Sequence, residues 1–229
     1  AAGGSGFGAL SYAVRSGPGE LLGGSVLRMT SGTGTCSVVA TKATDALYEA
    51  AAVTALIAAA KAEQAITWPA FPDPVVTDTV SLSAAADSGL AVAFAVGAGP
   101  ARLRDGNTLT FTATGAAQIV ASQPGDANWN LAPDVIRTVF ISKAPARVSL
   151  LNLFQTYDGT PRVVLAASVP AGLAVQVAYE GSRAPPVDAG SYRVVGTADD
   201  PLYEGAATGT LTVARAGQSI AFAPLPDVA

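Results

Sequence analysis

The sequence contains no histidine and only one cysteine, and each shortage excludes a class of chemistry. Without histidine there can be no Ser-His-Asp triad and no imidazole base, and nearly all zinc sites are excluded. With Cys36 alone, no disulfide can form within the chain. Cys36 lies in a run of small, mostly apolar residues with no base or cation nearby, so we expect a buried small hydrophobe rather than a reactive thiol.

Charge is also scarce. Only 13% of the residues are charged, the net charge is −4, and no basic cluster occurs, so a nucleic-acid partner is not expected. The longest apolar stretch, residues 43–62, is interrupted by Asp45, Glu49 and Lys61, so no membrane span is expected in this segment. The chain opens at Ala1 with neither Met nor a signal peptide, and we expect it to be part of a longer polypeptide.

Half of the residues are hydrophobic but only 7% are aromatic, and much of the apolar content is Ala and Val. Such a mixture, rich also in Ser and Thr, suits thin sandwiches of β-sheets. Residues 78–84 alternate apolar with polar, and residues 91–96 alternate small with large apolar residues, which in both cases is the period of a half-buried strand. Asp105-Gly106-Asn107 predicts a hairpin turn. Turn signals at short intervals therefore predict an all-β fold of sandwiches.

The sequence also repeats itself. Residues 61–73 return as residues 215–227, with Ala62, Gln64 and Ile66 matched by identical residues. An Asp-x-x-aromatic signature occurs three times, each copy followed by a basic residue: Asp45/Tyr48 before Lys61, Asp126/Trp129 before Lys143, and Asp200/Tyr203 before Arg215. Serial copies favour a spacer, stalk or filament over an enzyme. We interpret the basic residues as charged groups that keep the boundaries between copies soluble.

Alignment of the copies predicts the domain organisation. Phe94 aligns with Tyr12 and Gly99-Pro100 with Gly17-Pro18, so residues 1–61 and 62–144 are the same kind of domain. The first copy is incomplete, because the equivalent of residues 62–82 is missing. Residues 145–215 form a related, shorter module, and residues 216–229 begin a further repeat.

Several motifs carry a family resemblance. The run from Gln155 to Pro161 (QTYDGTP), followed by Ala189-Gly190-Ser191-Tyr192 and the run from Asp200 to Gly205 (DPLYEG), resembles the MBG/YDG-type bacterial Ig-like repeat. Residues 121–130 are similar to a companion Ig-like repeat of the same surface proteins. The resemblance implies tandem Ig-like β-sandwich domains in an extended array, on a bacterial cell surface or outside the cell. It also implies a cysteine pair in the companion repeat, but only Cys36 is present here.

We expect no catalytic residue, no cofactor and no metal. The recurring Asp45, Asp126 and Asp200 suit turns that bond backbone amides, with the aromatic residue plugging the end of the sandwich. Asp126, Asn128 and Asn130 have the spacing of calcium ligands, but Leu131 occupies the position where a calcium loop needs Gly. A pair of carboxylates could serve a glycosidase, yet a catalytic residue rarely needs copying into every repeat.

The sequence therefore predicts a structural region of an extracellular stalk, adhesin shaft or filament. The alternative is an accessory module, one that binds glycans, of a secreted enzyme. The expected partners are other copies or neighbouring repeats, head to tail, and surface glycans or proteins stay open. Gln218, Ile220 and Phe222 alternate with smaller residues, so we hypothesise an inter-subunit strand that completes residues 1–61 of another copy. The competing interpretation is one continuous polypeptide, which the denatured mass would distinguish.

Overall fold

The computed structural model of the protein describes residues 5–222, and no helix occurs in that range. Accordingly, no segment of the described range is a helix that could cross a membrane. The strands fall into three consecutive groups, and no sheet formed by the described residues joins strands of different groups. The prediction of an all-β chain of serial sandwiches is confirmed.

The first group contains five strands, which are β1 (Leu10–Ser16), β2 (Gly19–Leu22), β3 (Val26–Met29), β4 (Thr35–Lys42) and β5 (Ala51–Ala58). An antiparallel sheet has the order β1-β4-β5, and β2 pairs with β3 as a hairpin. Cys36 in the central strand is fully buried, as predicted. In contrast, every residue of β5 is exposed.

The second group contains eight strands, which are β6 (Ile66–Thr67), β7 (Thr79–Ser81), β8 (Ala85–Ala86), β9 (Ala93–Ala98), β10 (Ala101–Arg104), β11 (Thr108–Phe111), β12 (Gly115–Ser122) and β13 (Val135–Ile141). Its sheets have the orders β13-β12-β9 and β10-β11-β7, and β6 pairs with β8. Along β12, Ala117, Ile119 and Ala121 alternate with outward residues and are buried. They share a core with Leu109 of the opposite sheet, so this group is a closed sandwich.

The third group also contains eight strands, which are β14 (Ala144–Pro145), β15 (Arg147–Leu151), β16 (Phe154–Thr156), β17 (Leu165–Val169), β18 (Val175–Tyr179), β19 (Gly190–Ala198), β20 (Tyr203–Glu204) and β21 (Ala206–Ala214). A four-stranded sheet has the order β16-β21-β19-β18, and β15 pairs with β17. Val194 and Leu211 are fully buried at the centre of its core, where Leu150 and Leu153 pack from the other side.

The first group repeats the second half of the second group. The sheet β1-β4-β5 has the same connectivity as β9-β12-β13, and the hairpin β2-β3 corresponds to β10-β11. The strands β6, β7 and β8 have no counterpart among residues 5–61. Among the described residues, the first group is thus the equivalent of part of a sandwich, and its edge strand β5 is exposed along its whole length.

The predicted hairpin turn between β10 and β11 is confirmed. Asp105 and Gly106 have φ angles of 49° and 77°, and the Asn107 amide donates to the Arg104 carbonyl at 3.2 Å. A turn with two positive φ angles matches the twist of the paired strands, and Asp and Gly both tolerate that conformation.

Candidate junctions between the strand groups

The three Asp-x-x-aromatic copies adopt one local geometry. In each copy, Oδ1 of the aspartate accepts hydrogen bonds from the backbone amides two and three residues later. The distances are 2.9 and 3.1 Å for Asp45, 2.7 and 2.9 Å for Asp126, and 2.8 and 3.1 Å for Asp200. A carboxylate that accepts two amides fixes the turn and holds the aromatic residue in one orientation. The Leu47 amide, followed by that of Phe7, lowers the pKa of Asp45 below its ordinary value.

The turn held by Asp126, in the second group, lies next to the segment that leaves the first group. The Ala62 amide donates to the Asn128 carbonyl, and the Asn130 amide donates back to the Ala62 carbonyl, both at 2.8 Å. Ala62 and Trp129 form a parallel bridge. From the first group, the Gly32 amide donates to Asn128 Oδ1 at 2.9 Å. The turn therefore bonds to the incoming chain and to a loop of the preceding group.

The turn of the third group repeats this arrangement. The Ala144 amide donates to the Leu202 carbonyl at 2.8 Å, and strands β14 and β20 pair in parallel. In addition, Lys143 Nζ donates to the Asp200 carbonyl at 2.6 Å. The basic residue was expected to be a soluble boundary charge, and it also bonds the two groups directly.

The aromatic residues of the signature face the preceding group. Tyr203 and its neighbour Leu202 pack against the core of the second group, although both belong to the third. Trp129 lines a concave surface with Met29 and Ala60 of the first group. Tyr48, by contrast, is half exposed, and the described part of the chain holds no earlier group to receive it. The expectation that each aromatic plugs its own sandwich therefore needs correction, because the turn points the ring across the junction.

Two buried glutamine side chains lie next to the turn held by Asp126. Gln64 and Gln123 are both buried, and Gln64 Nε2 donates to Gln123 Oε1 at 2.8 Å and to the Asn130 carbonyl at 2.6 Å. The Ser88 hydroxyl donates to Gln64 Oε1 at 2.5 Å. Burial of amides is tolerated only with such partners. Sequence reasoning missed this network, although the return of Gln64 as Gln218 was a usable signal.

Trp68 and Tyr179 offer little surface for stacking on a sugar. Trp68 is 5% exposed, with its ring centroid 5.4 Å from that of Phe94 and the Arg137 guanidinium carbon 5.4 Å from its ring. Tyr179 is buried, and its hydroxyl accepts the Val164 amide at 2.8 Å. These rings contribute to the interiors of their groups rather than to a binding platform.

The residues with calcium-like spacing are committed to different partners. Asp126 bonds its own turn, Asn128 Oδ1 accepts from Gly32, and Asn130 Nδ2 donates to Glu63 at 2.8 Å. Across residues 5–222, no group of three or more His, Cys, Asp or Glu side chains is placed to hold a metal ion.

The segment after the third group, residues 216–229, is called the tail, and its described part, residues 216–222, forms no strand. Gln218, Ile220 and Phe222 lie beyond β21, and Ile220 and Phe222 are 86% and 92% exposed. Ile220 and Phe222 therefore do not pack on the third group. The remaining residues of the predicted tail, 223–229, lie outside the described residues.

Comparison with known proteins agrees with part of this organisation. Residues 146–217 match the MBG domain family, so the resemblance of this module is confirmed. No curated protein matches the chain. Among solved structures, Drosophila N-cadherin EC1-4 is similar at 11% identity and a TM-score of 0.31, covering 92% of this chain and 67% of that one. Sidekick-1 immunoglobulin domains 1–5 are similar at 15% identity and a TM-score of 0.32, covering 90% and 52%.

The chain thus spans about two thirds of the cadherin fragment and about half of the Sidekick-1 fragment. SGBP-B of a Bacteroides ovatus mixed-linkage glucan utilization locus, solved in complex with a mixed-linkage heptasaccharide, is similar at 15% identity and a TM-score of 0.23, covering 91% of this chain and 61% of that one. Scores this low carry no argument about what the chain binds.

Proposed function

We propose that this chain is a load-bearing repeat region of a bacterial extracellular stalk, adhesin shaft or filament. The proposed repeats are residues 1–61, 62–144 and 145–215, with a further repeat beginning at 216. The observation that carries the proposal is the parallel pairing of an early segment of the second and third groups with the last strand of the same group. That pairing decides how a pulling force reaches the hydrogen bonds.

In the third group, β16 follows β14 and β15 along the chain and runs parallel to the final strand β21. The Tyr157 amide donates to the Ala214 carbonyl, and the Thr212 amide donates to the Leu153 carbonyl, both at 2.8 Å. Once β14 and β15 are pulled away, a force on the two ends of this group slides β16 and β21 past each other. All bonds of the pair are then loaded together in shear, whereas a hairpin pulled at its open ends breaks one bond at a time. Each bond contributes only about 1 kcal/mol net, so simultaneous loading is what gives resistance.

The second group has the same arrangement on a smaller scale. The Val76 amide donates to the Ser142 carbonyl at 2.9 Å, and the Ser142 amide donates to the Pro74 carbonyl at 3.1 Å. Val75 and Ser142 form a parallel bridge. In both the second and the third group, a segment from the early part of the group is thus bonded directly to the end of the last strand.

The junctions would transmit that load without slack. Strand β13 ends at Ile141 and β14 begins at Ala144, and Lys143 between them bonds the Asp200 carbonyl. Short, hydrogen-bonded linkers restrict hinge motion and favour a stiff array. The match of residues 146–217 to the MBG domain, together with the resemblance to bacterial surface repeats, supports the proposed place outside the cell.

Single-molecule force spectroscopy on the full chain tests the proposal. Tyr157→Pro removes one backbone donor of the parallel pair, whereas Tyr157→Ala keeps that donor and removes the same ring. We expect the proline variant to lower the unfolding force of the third group well below that of the alanine variant. Tyr179→Phe, which removes one hydrogen bond outside the pair, controls for lost stability. Equal unfolding forces in variants of equal thermal stability would refute a load-bearing role for the pair.

A further inference from the structure

The second group carries a cleft that takes no part in the junctions or in the load-bearing pairs. The cleft has a volume of about 350 Å³ and lies between residues 67–71, which follow β6, and residues 81–85, which connect β7 to β8. This volume is at the lower end of the range of about 300–1,000 Å³ that is usual for sites of small ligands. Both walls belong to the same group, so the cleft does not depend on how the groups are joined.

The walls of the cleft are fixed from behind. Strand β6 pairs with β8, which joins the two walls at one end. The Leu82 amide donates to the Asn107 carbonyl at 2.7 Å, and an Nη atom of Arg137 donates to the Trp68 carbonyl. Trp68 and Leu82 are themselves buried in the core of the group. Because the surface is preformed, a ligand would bind without the cost of ordering it.

Three side-chain hydroxyls at the cleft are available to a ligand. Thr67, Ser81 and Ser83 are exposed, and none of their hydroxyls has a hydrogen-bond partner among residues 5–222. A hydroxyl can both donate and accept a hydrogen bond. No charged side chain of the described range lines the cleft. The polar part of the site therefore suits a neutral ligand that offers hydroxyl groups of its own.

Ring surfaces supply the apolar part of the site. Phe71 is half-buried and Pro69 is exposed, and both line the cleft. The Phe71 ring centroid lies 6.0 Å from that of Trp68, which supports the ring from the core side. The C–H face of a sugar ring packs on such surfaces, while its hydroxyls bond to the polar groups around it.

An extended peptide is the other ligand that would use ring surfaces at a sheet edge. Strand β7, which borders the cleft, contains only three residues. Short edge strands are poor templates for the addition of another strand, so a peptide would gain few backbone hydrogen bonds here. The free hydroxyls and the lack of charge favour a saccharide instead.

We propose that this cleft binds a neutral saccharide. Phe71 and Pro69 contact the face of one sugar ring, and Ser81 and Ser83 bond to its hydroxyls. This binding role goes beyond load bearing, because the β16–β21 pair and the residues of the junctions are not part of the cleft.

NMR of the full chain, titrated with single oligosaccharides, tests the site. The neutral probes are cellotetraose, xylotetraose, mannotetraose and maltotetraose. Trigalacturonic acid is the acidic probe, and a neutral proline-rich peptide is the peptide probe. We expect a neutral saccharide to give saturable shifts of the Ser81 and Ser83 amides and of the Trp68 indole at millimolar concentration or below. The acidic and peptide probes should leave these signals unchanged.

Substitutions of exposed residues locate the contact without disturbing the core. Ser81→Ala and Ser83→Ala should each weaken binding about fivefold, because each removes one hydrogen bond. Ser83→Tyr fills the cleft and should abolish binding. Thr138→Ala is the matched control, because Thr138 also carries an exposed hydroxyl in the second group but lies in β13, outside the cleft, and it should leave the affinity unchanged.

Several results would overturn the proposal. They are a lack of saturable shifts with every neutral saccharide, shifts that lie only outside the cleft, stronger binding of the acidic or peptide probe, and binding that survives Ser83→Tyr. The unfolding force of the third group is measured on strands that do not line the cleft, so either proposal can fail while the other stands.

Discussion

Replacement of Tyr203 by alanine should destabilise the strand group that precedes it, and not only the group to which it belongs. Tyr203 lies in β20 of the third group, and its ring is half-buried against the core of the second group. The substitution leaves the turn intact, because Asp200 Oδ1 bonds the backbone amide of residue 203 rather than its side chain. The change therefore isolates the contribution of the ring across the junction.

The magnitude follows from the buried area. A large aromatic side chain buries about 150–250 Å² when fully enclosed, so truncation of a half-buried tyrosine to alanine loses about 80 Å² of buried area. At about 25 cal/mol per Å² this contributes about 2 kcal/mol, less than the about 3–5 kcal/mol for a fully buried ring. The population of the opened second group should then rise by about thirtyfold.

Hydrogen exchange read by mass spectrometry resolves the effect by region. In the Tyr203→Ala chain, amides of β12 and β13 should exchange faster, by up to about thirtyfold where exchange requires opening of the whole group. Tyr192→Ala is the matched control, because Tyr192 is also a half-buried tyrosine but packs on the core of the third group. It should accelerate exchange in β19 and β21 instead. If Tyr203→Ala accelerates exchange only within residues 145–215, the assignment of its ring to the second core is wrong.

Three further outcomes are expected. Hydrogen bonds from the Thr160 hydroxyl and, second, from Arg162 lower the pKa of Asp158 from 3.8 to about 2. Any stability that this carboxylate contributes is therefore complete above about pH 4 and is lost as the pH falls through 2. An NMR titration of Asp158 should show a midpoint at about pH 2, and Arg162→Gln should raise that midpoint. Tyr179→Phe leaves the buried Val164 amide without its acceptor and should cost about 1–3 kcal/mol in a denaturant melt, and an unchanged midpoint would contradict that role. Screens on common polysaccharides should show no turnover, and turnover abolished by Asp126→Ala would refute the prediction that the chain has no catalytic site.

The sequence was informative where the copies could be compared with each other. The Asp-x-x-aromatic signature marks three turns of one geometry because each needs a short carboxylate to accept two amides. Alternation along residues 78–84 predicted β7, because a strand with one covered face buries every second residue more than its neighbours. Short strands such as β8 and β20 were missed, since two residues carry no measurable period.

Contacts across the junctions could not be predicted, because a local pattern does not contain the direction of a side chain relative to another group. The spacing of Asp200 and Tyr203 fixes the turn, but the side on which the ring packs depends on how β14 meets β20. The Gln64–Gln123 pair was hidden for a similar reason, since its two members are distant in sequence and neither lies in a recognisable polar motif.

The placement of the signature aromatics has a consequence for how stability is distributed. Tyr203 belongs to the third group but packs on the core of the second. The free energy of unfolding of the second group therefore includes a contribution from the group that follows it. Such a chain behaves as a row of units with nearest-neighbour coupling, in which each interface adds to the intrinsic stability of both sides. The second group has neighbours on both sides among the described residues, and it also has the larger buried core. The first group, whose strand β5 is exposed along its whole length, should therefore show the fastest amide exchange of the three groups in this chain.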